Sequence, residues 1–174
     1  MREPTGADAA QCGAAVMHPL APVCSEMSRT LILGTMPSPA SRAAGFYYAH
    51  PQNRFWPVLA AVYGEPVPTD NEERARMILR HGLALWDVLA KCNIDGAADA
   101  SIRNPMPNDI ASLLAAAPIA RVLTTGATAT RLYRRLVEPT TGMPCLALPS
   151  TSAANARMPL AELTKIYRSA LLPE

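Results

Sequence analysis

The sequence predicts an α/β fold, a three-layer α/β/α sandwich in which helices cover both faces of a central four-stranded parallel sheet. Two observations lead to this fold class. Four short apolar segments of strand length alternate with segments whose apolar residues recur at helical spacing. The 174 residues, 49% of them hydrophobic, suffice for one domain with a sizeable core.

The strands are predicted from apolar runs that end in turn residues. These runs cover residues 29–34, 83–89, 119–125 and 143–148. Residues 1–16 are rich in Ala and Gly and show no period, so we expect a disordered tail there and a single domain over residues 17–174. Residues 18–28 are interpreted as an extended lead-in and residues 91–107 as a polar connection.

Five helices are predicted from the 3.6-residue period and from residues that start or stop helices. Pro57 fits only a first turn, Asp70 is a suitable N-cap, and Asn108 is a candidate cap for a short helix. Gly126 opens the turn into another helix. The predicted ranges are 53–63, 71–81, 108–116, 127–137 and 158–172.

Composition disfavours several classes of protein. No apolar run approaches the roughly 20 residues of a membrane-spanning helix, and no basic-then-apolar leader opens the chain, so we expect a cytoplasmic protein. The four cysteines are far apart and the three histidines show no metal-ligand spacing, so we expect no metal and no cofactor. The glycines match neither the dinucleotide pattern nor the phosphate-loop pattern.

The basic residues leave the partner open. The net charge of +2 is too small to indicate nucleic acid by itself. Two of the 16 basic residues are Lys91 and Lys165, which leaves 14 arginines, a side chain suited to binding two phosphate oxygens at once. A solvated surface in an organism with GC-rich coding explains them equally well. Neither lysine lies within residues 31–56 or 148–155, so a Schiff-base nucleophile has no obvious candidate there.

Two polar loops follow apolar strands. Residues 31–38 end in Gly-Thr-Met-Pro-Ser, and the aromatic and amide-rich segment 47–56 follows. The second loop, residues 148–155, follows the last strand. In open parallel sheets ligands bind beyond the carboxyl ends of the strands, so the two loops can build one site. Flat rings and neutral polar groups in such a site point to a nucleobase.

The motifs in these loops resemble the uracil-DNA glycosylase superfamily. The matching strings are Gly34-Thr-Met-Pro-Ser38, Ala49-His-Pro-Gln-Asn-Arg-Phe-Trp56 and Pro149-Ser-Thr-Ser-Ala-Ala-Asn155. The hypoxanthine-DNA (DNA-deoxyinosine) glycosylase branch matches best, over roughly residues 18–172. The likeness to mismatch-specific uracil glycosylases is looser. The resemblance implies a monofunctional hydrolase that flips a damaged nucleotide out of DNA and cleaves its glycosidic bond. We expect a monomer, which suits an enzyme that scans DNA. Deoxyinosine is the first expected substrate and deoxyuridine the second.

The resemblance also implies the base-binding and catalytic residues. Met36 stands where several branches carry an Asp or Asn that holds the water, and the hypoxanthine branch departs in the same way. Asn53 is therefore assigned the catalytic role, either orienting the water or contacting the base, although it also suits the N-cap of helix 54–63. Tyr48 is expected to stack on the base, and Tyr47 is a further candidate for contact with it. Asp87 either accepts a ring N–H of the base or anchors an internal hydrogen bond. Gly34 and Met36 are also placed among the base-binding residues.

A second set of residues is expected to contact DNA. Ser150, Thr151 and Ser152 match the motif that clamps phosphates, while Asn155 either belongs to the loop that fills the duplex or caps the last helix. The remaining candidates are Ser38, His50 and Arg157. Two other functions stay open: a DNA-damage-binding module that has lost catalysis, which Met36 motivates, and a hydrolase of free nucleosides.

Overall fold

The computed structural model describes residues 13–172. The strands are β1 (Ala14–Met17), β2 (Thr30–Gly34), β3 (Leu83–Asp87), β4 (Leu89–Ile94), β5 (Arg103–Pro107), β6 (Arg121–Thr125) and β7 (Cys145–Leu148). The helices are α1 (Pro39–Ala44), α2 (Phe55–Tyr63), α3 (Asn71–Arg80), α4 (Ile110–Ala116), α5 (Ala127–Leu136), α6 (Glu138–Thr141) and α7 (Leu160–Leu171). Two 3₁₀ turns cover Asp99–Ser101 and Ala153–Asn155.

Four strands form the parallel sheet that the sequence predicts. Their order is β3-β2-β6-β7, and each neighbouring pair is parallel. The four predicted strands are confirmed, and their bounds agree with the prediction to within two residues at every end. Because parallel strands share one direction, β2, β3, β6 and β7 all deliver their following loops to the same edge of the sheet.

Helices cover both faces of this sheet, as predicted. Ile32 packs into one core with α2, α3 and α7, whereas its neighbours Leu31 and Leu33 pack into a second core with α4 and α5. This alternation follows from the two-residue period of a strand. Strand β2 is buried at every position, which explains why its sequence reads as a continuous apolar run.

A second, antiparallel sheet of order β1-β4-β5 corrects the sequence analysis in two places. Residues 14–16, expected in the disordered tail, lie in β1 and pair with β4, while residues 1–12 lie outside the described residues. The polar connection 91–107 contains most of β4 and all of β5. Strands β1 and β5 are short and largely exposed, and β1 pairs with a strand far along the chain. In β4 the buried residues Leu89, Cys92 and Ile94 follow no two-residue alternation, so no apolar period reveals this sheet.

The ends of the helices differ in part from the prediction. Asp70 accepts a hydrogen bond from the Glu73 backbone N–H and caps α3, which confirms that assignment. Helix α4 is capped by Asp109 rather than Asn108, because the Asn108 amide instead donates to the backbone oxygens of Asp87 and Leu89. Helix α1, which follows the first motif loop, was not predicted.

No helix among residues 13–172 combines the length and the apolar character needed to cross a membrane. Across the same residues, no group of three or more His, Cys, Asp and Glu side chains is arranged to hold a metal ion.

Candidate active site

One cavity of about 380 Å³ lies at the carboxyl ends of β2, β3 and β6. Its volume falls within the range of small-molecule sites. Residues of both polar loops line it, so the topology brings together segments that are about a hundred positions apart. The site residues that line it are Gly34, Met36, Ser38, Tyr47, Tyr48, Asn53, Asp87, Ser150, Thr151 and Ser152.

Asn53 has a fixed orientation in this cavity. Its Oδ1 accepts from the Phe55 backbone N–H at 2.9 Å and from the Thr151 hydroxyl at 2.9 Å. A backbone N–H can only donate, so the atom facing Phe55 must be the oxygen, and the side-chain NH₂ is the group left over. Within residues 13–172 nothing accepts from that NH₂. Asn53 therefore forms a turn just before α2, whose N-cap is Arg54 and not Asn53, and offers a donor to the cavity at the same time.

Arg54, the residue after Asn53, joins the two motif loops. Its backbone N–H donates to the Thr151 carbonyl at 3.0 Å. Its guanidinium donates to the backbone carbonyls of Ser152, Asn155 and Met158. One side chain therefore satisfies three carbonyls of the second loop, and the fork geometry of arginine makes this possible. This link between the two loops through Arg54 was not expected from the sequence.

Tyr48 forms one wall of the cavity. Its ring stacks on Phe55 with centroids 3.9 Å apart and planes 14° apart, and its hydroxyl lies 2.8 Å from the Thr125 hydroxyl. Its φ of 52° lies in the left-handed region, which is costly for a bulky residue and is held here by these contacts. Because Phe55 covers one face of the ring, a ligand can meet only its other face or its edge.

Gly34 is required by the close approach of two polar atoms. A Cβ at this position would lie 2.4 Å from Asp87 Oδ1 and 2.9 Å from the Tyr48 hydroxyl. Both distances are shorter than real contacts allow, so a side chain here would displace both groups. The motif glycine therefore gives Asp87 and Tyr48 their places beside the cavity.

Asp87 is paired with His18, a residue that the sequence analysis left in the lead-in. His18 Nδ1 accepts from the Leu20 backbone N–H, which leaves Nε2 as the donor to Asp87 Oδ2 at 2.9 Å. The two side chains are 1% and 5% exposed. Burial raises the pKa of Asp87, and the bond from His18 opposes that rise. Asp87 Oδ1 accepts no hydrogen bond from the described residues and borders the cavity.

Other predicted residues of the first loop have structural partners. Tyr47 is 2% exposed and its hydroxyl donates to the Ala21 carbonyl, so it supports the cavity wall. Burial raises the pKa of the Tyr47 hydroxyl far above its usual range. Ser38 caps α1 by accepting from the Ser41 backbone N–H. His50 is exposed and outside the cavity lining, and its Nδ1 accepts from the Gln52 backbone N–H.

The second loop is also held by its own side chains. Ser150 Oγ accepts from the Ser152 backbone N–H, and Ser152 Oγ accepts from the Ala154 backbone N–H. The Asn155 amide donates to the Ser150 carbonyl, and Pro159 occupies the N-cap of α7, so Asn155 does not cap that helix. Arg157 is exposed and does not line the cavity.

Comparison with known proteins identifies close similarities. A family model described as the uracil DNA glycosylase superfamily matches residues 21–170. A hypoxanthine DNA glycosylase of Methanosarcina barkeri is 30% identical over 137 residues, covering 78% of this chain and 86% of its own. The protein of the same name from Methanosarcina acetivorans is 31% identical over 136 residues, covering 78% and 85%.

A solved structure has the same fold. The solution NMR structure of a Methanosarcina acetivorans protein, provisionally named a uracil DNA glycosylase, superposes with a TM-score of 0.73. The two chains are 27% identical, and the match covers 87% of this chain and 96% of the other.

Replacing Gly34 by Ala should destabilise the protein by about 1–3 kcal/mol, because the new methyl group meets the buried Asp87 carboxylate and the Tyr48 hydroxyl. Urea unfolding measures this change. The same replacement should cost less in an Asp87→Ala background, where the nearer of the two atoms is gone. Equal costs in both backgrounds would contradict the close approach.

Thr151→Val should cost about 1–2 kcal/mol, because it removes the hydroxyl that donates to Asn53 and leaves a buried site without its donor. In NMR spectra of labelled protein, the Asn53 side-chain amide should broaden or shift. Thr151→Ser keeps the hydroxyl and serves as the control. An unchanged Asn53 amide in Thr151→Val would show that Thr151 does not orient it.

Proposed function

The chain belongs to the uracil DNA glycosylase superfamily, and from this membership we propose that it excises deaminated bases from DNA, hypoxanthine first and uracil second. Membership in this superfamily supports a DNA glycosylase, an enzyme that hydrolyses N-glycosyl bonds. The choice of base is the proposal. The observation that supports it most directly is the pairing of one donor, the Asn53 NH₂, with one acceptor, Asp87 Oδ1, in one cavity.

Deamination changes the edge that a base presents. Adenine and cytosine carry an amino donor beside an unprotonated ring nitrogen. In hypoxanthine and uracil that amino group becomes a carbonyl acceptor, and the adjacent ring nitrogen carries a proton. An N–H donor from Asn53 and a carboxylate oxygen from Asp87 match the second pattern and oppose the first. The same pair therefore recognises deaminated bases and rejects their parents.

The cavity walls suit a flat ring. Tyr48 offers the face or edge that Phe55 leaves free, and stacking of a base on an aromatic ring is worth roughly 1–3 kcal/mol. Base flipping costs a few kcal/mol in lost stacking and pairing, so this contact offsets a substantial part of it. Guanine and thymine share the carbonyl and N–H edge, so they must be excluded by their additional amino and methyl groups.

The same groups assist cleavage. When the glycosidic bond breaks, its electrons pass to the base, and negative charge develops on the carbonyl that the Asn53 NH₂ contacts. A positioned donor at that atom stabilises the transition state more than the bound substrate. The sugar becomes oxocarbenium-like and water adds at C1′. Lys91 and Lys165 do not line the cavity, so we propose hydrolysis without a lyase step.

The second loop is proposed to contact the phosphates beside the flipped nucleotide. Ser150 and Ser152 line the cavity, and the rigid arrangement of their loop presents hydroxyl groups at its rim. Arg157 is exposed and follows this loop in the sequence, and we propose that it contacts a phosphate. We also propose that the protein acts as a monomer.

The substrate proposal is tested with labelled duplexes that contain one inosine, one uracil, or undamaged adenine and cytosine. After treatment with alkali, which cleaves abasic sites, we expect strand scission for inosine, less for uracil and none for the normal bases. Turnover of free inosine but not DNA would support the nucleoside hydrolase. Tight binding of inosine duplexes without turnover would support a binding module. Either outcome would contradict the proposal.

Asn53→Asp separates the two functions of Asn53. The carboxylate keeps the acceptor for Phe55 and Thr151 but loses the NH₂ donor, so kcat on inosine should fall about 10²- to 10³-fold. The melting temperature should change little. Asn53→Ala should lose both the activity and about 1 kcal/mol of stability. Wild-type turnover by Asn53→Asp would show that the donor is not needed.

Asp87→Asn tests the acceptor. The amide oxygen can still accept from His18, which turns the NH₂ toward the cavity and places a donor against the ring N–H of the base. We expect kcat/KM on inosine to fall by about 30- to 150-fold, corresponding to roughly 2–3 kcal/mol. Thermal unfolding checks that the fold persists. Unchanged kcat/KM on inosine would remove Asp87 from base recognition.

A further inference from the structure

The hydrolysis proposed above requires a base that holds the attacking water and takes up its proton, and the first motif loop offers hydroxyl groups but no free carboxylate. Met36 carries no acceptor. Asn53 Oδ1 already accepts two hydrogen bonds, from Phe55 and Thr151, and Asp87 Oδ2 accepts one from His18. The other Asp87 oxygen is assigned to the base. A further acceptor must therefore come from elsewhere in the cavity lining.

Asp99 meets this requirement. It begins the 3₁₀ turn between β4 and β5, in the antiparallel sheet, and it lines the cavity. Its Oδ2 accepts from the Thr35 hydroxyl at 3.2 Å. Thr35 directly follows the motif Gly34 and is 7% exposed, so this bond attaches the Asp99 carboxylate to the first motif loop. The other carboxylate oxygen, Oδ1, has no partner among the described residues.

A purely structural role does not account for this carboxylate. The turn is closed by backbone bonds from Ser101 to Ala98 and from Ile102 to Asp99, so the Asp99 side chain caps nothing. It forms no ion pair within the described residues. A free negative charge at the mouth of a DNA-binding cavity also repels phosphates. Asp99 is exposed to solvent, so its free oxygen is accessible to a water molecule at the cavity.

We propose that Asp99 is a catalytic residue, the general base that orients the water for attack at C1′. In this step a water oxygen forms a bond to C1′ as the bond from C1′ to the base nitrogen breaks, and that electron pair leaves with the base. The water proton passes to the Asp99 carboxylate, and the departing base anion takes up a proton from solvent. This role rests on the proposed glycosylase function.

The surroundings of Asp99 support the role. Although Asp99 is exposed by surface area, partial desolvation at the cavity raises its pKa, and the charge of Asp87 on β3 raises it further, while the Thr35 bond and Arg131 on α5 oppose the rise. Cys92 on β4 also lies within the reach of its charge. A base whose pKa is above the usual carboxylate range is better matched to accepting a proton near neutral pH. Activity should be lost as the pH falls through that pKa.

Asp99→Asn tests the proposal, since the amide keeps the shape but cannot take the proton. Under single-turnover conditions with inosine duplex, we expect the excision rate to fall about 10²- to 10³-fold. Binding of the duplex should be equal or tighter because a negative charge is removed. At a pH below the pKa values of both Asp87 and Asp99, log(kcat/KM) of the wild type should rise with pH at a slope approaching 2, because both carboxyl groups must lose a proton. In Asp99→Asn only Asp87 titrates, so the slope should be 1.

Thr35 variants provide the matched control. Thr35→Val removes the hydroxyl that positions Asp99 and should lower the excision rate several-fold, whereas Thr35→Ser should remain near the wild type. A wild-type rate and pH profile in Asp99→Asn would overturn the role of Asp99 and leave the glycosylase proposal intact. A wild-type protein that excises no base from DNA would overturn both.

Discussion

The attachment of the two motif loops to each other is the constraint on which the site depends. Thr151 donates to Asn53 through its side chain and accepts from Arg54 through its backbone, and the Arg54 guanidinium binds three more carbonyls of the second loop. These bonds give Asn53 one orientation, with its oxygen turned to the protein and its NH₂ to the cavity. Preorganised donors of this kind are effective because they do not have to reorient during the reaction.

The antiparallel sheet contributes as much to the site as the parallel sheet does. His18 directly follows β1 and donates to Asp87, while the connection from β4 to β5 carries Asp99 to the first motif loop. Asn108 binds the chain between β3 and β4 beside Asp87, so it holds the point where the chain passes from one sheet to the other. The small sheet therefore orients the Asp87 carboxylate and supplies that of Asp99, and both line one cavity.

The sequence predicts the parallel sheet and most helices because their apolar residues recur with a clear period. It also places the two loops together, since consecutive parallel strands end at one edge. It misses β1 and β5, whose residues are largely exposed, and most of β4, whose buried residues follow no two-residue alternation. The roles of His18, Arg54 and Asp99 follow from long-range contacts, so no local motif reveals them. The Asn53 motif does indicate a site, but only the contacts show that one side chain both forms the turn before α2 and faces the cavity.

In the proposed complex the Asn53 NH₂, and not its oxygen, meets the damaged base. An NMR titration of ¹⁵N-labelled protein with a duplex containing a non-hydrolysable deoxyinosine analogue tests this contact. We expect large shifts of the Asn53 side-chain amide signals and a contact from that NH₂ to hypoxanthine, with the Phe55 backbone amide little changed. Unperturbed Asn53 side-chain signals in a saturated complex would contradict it.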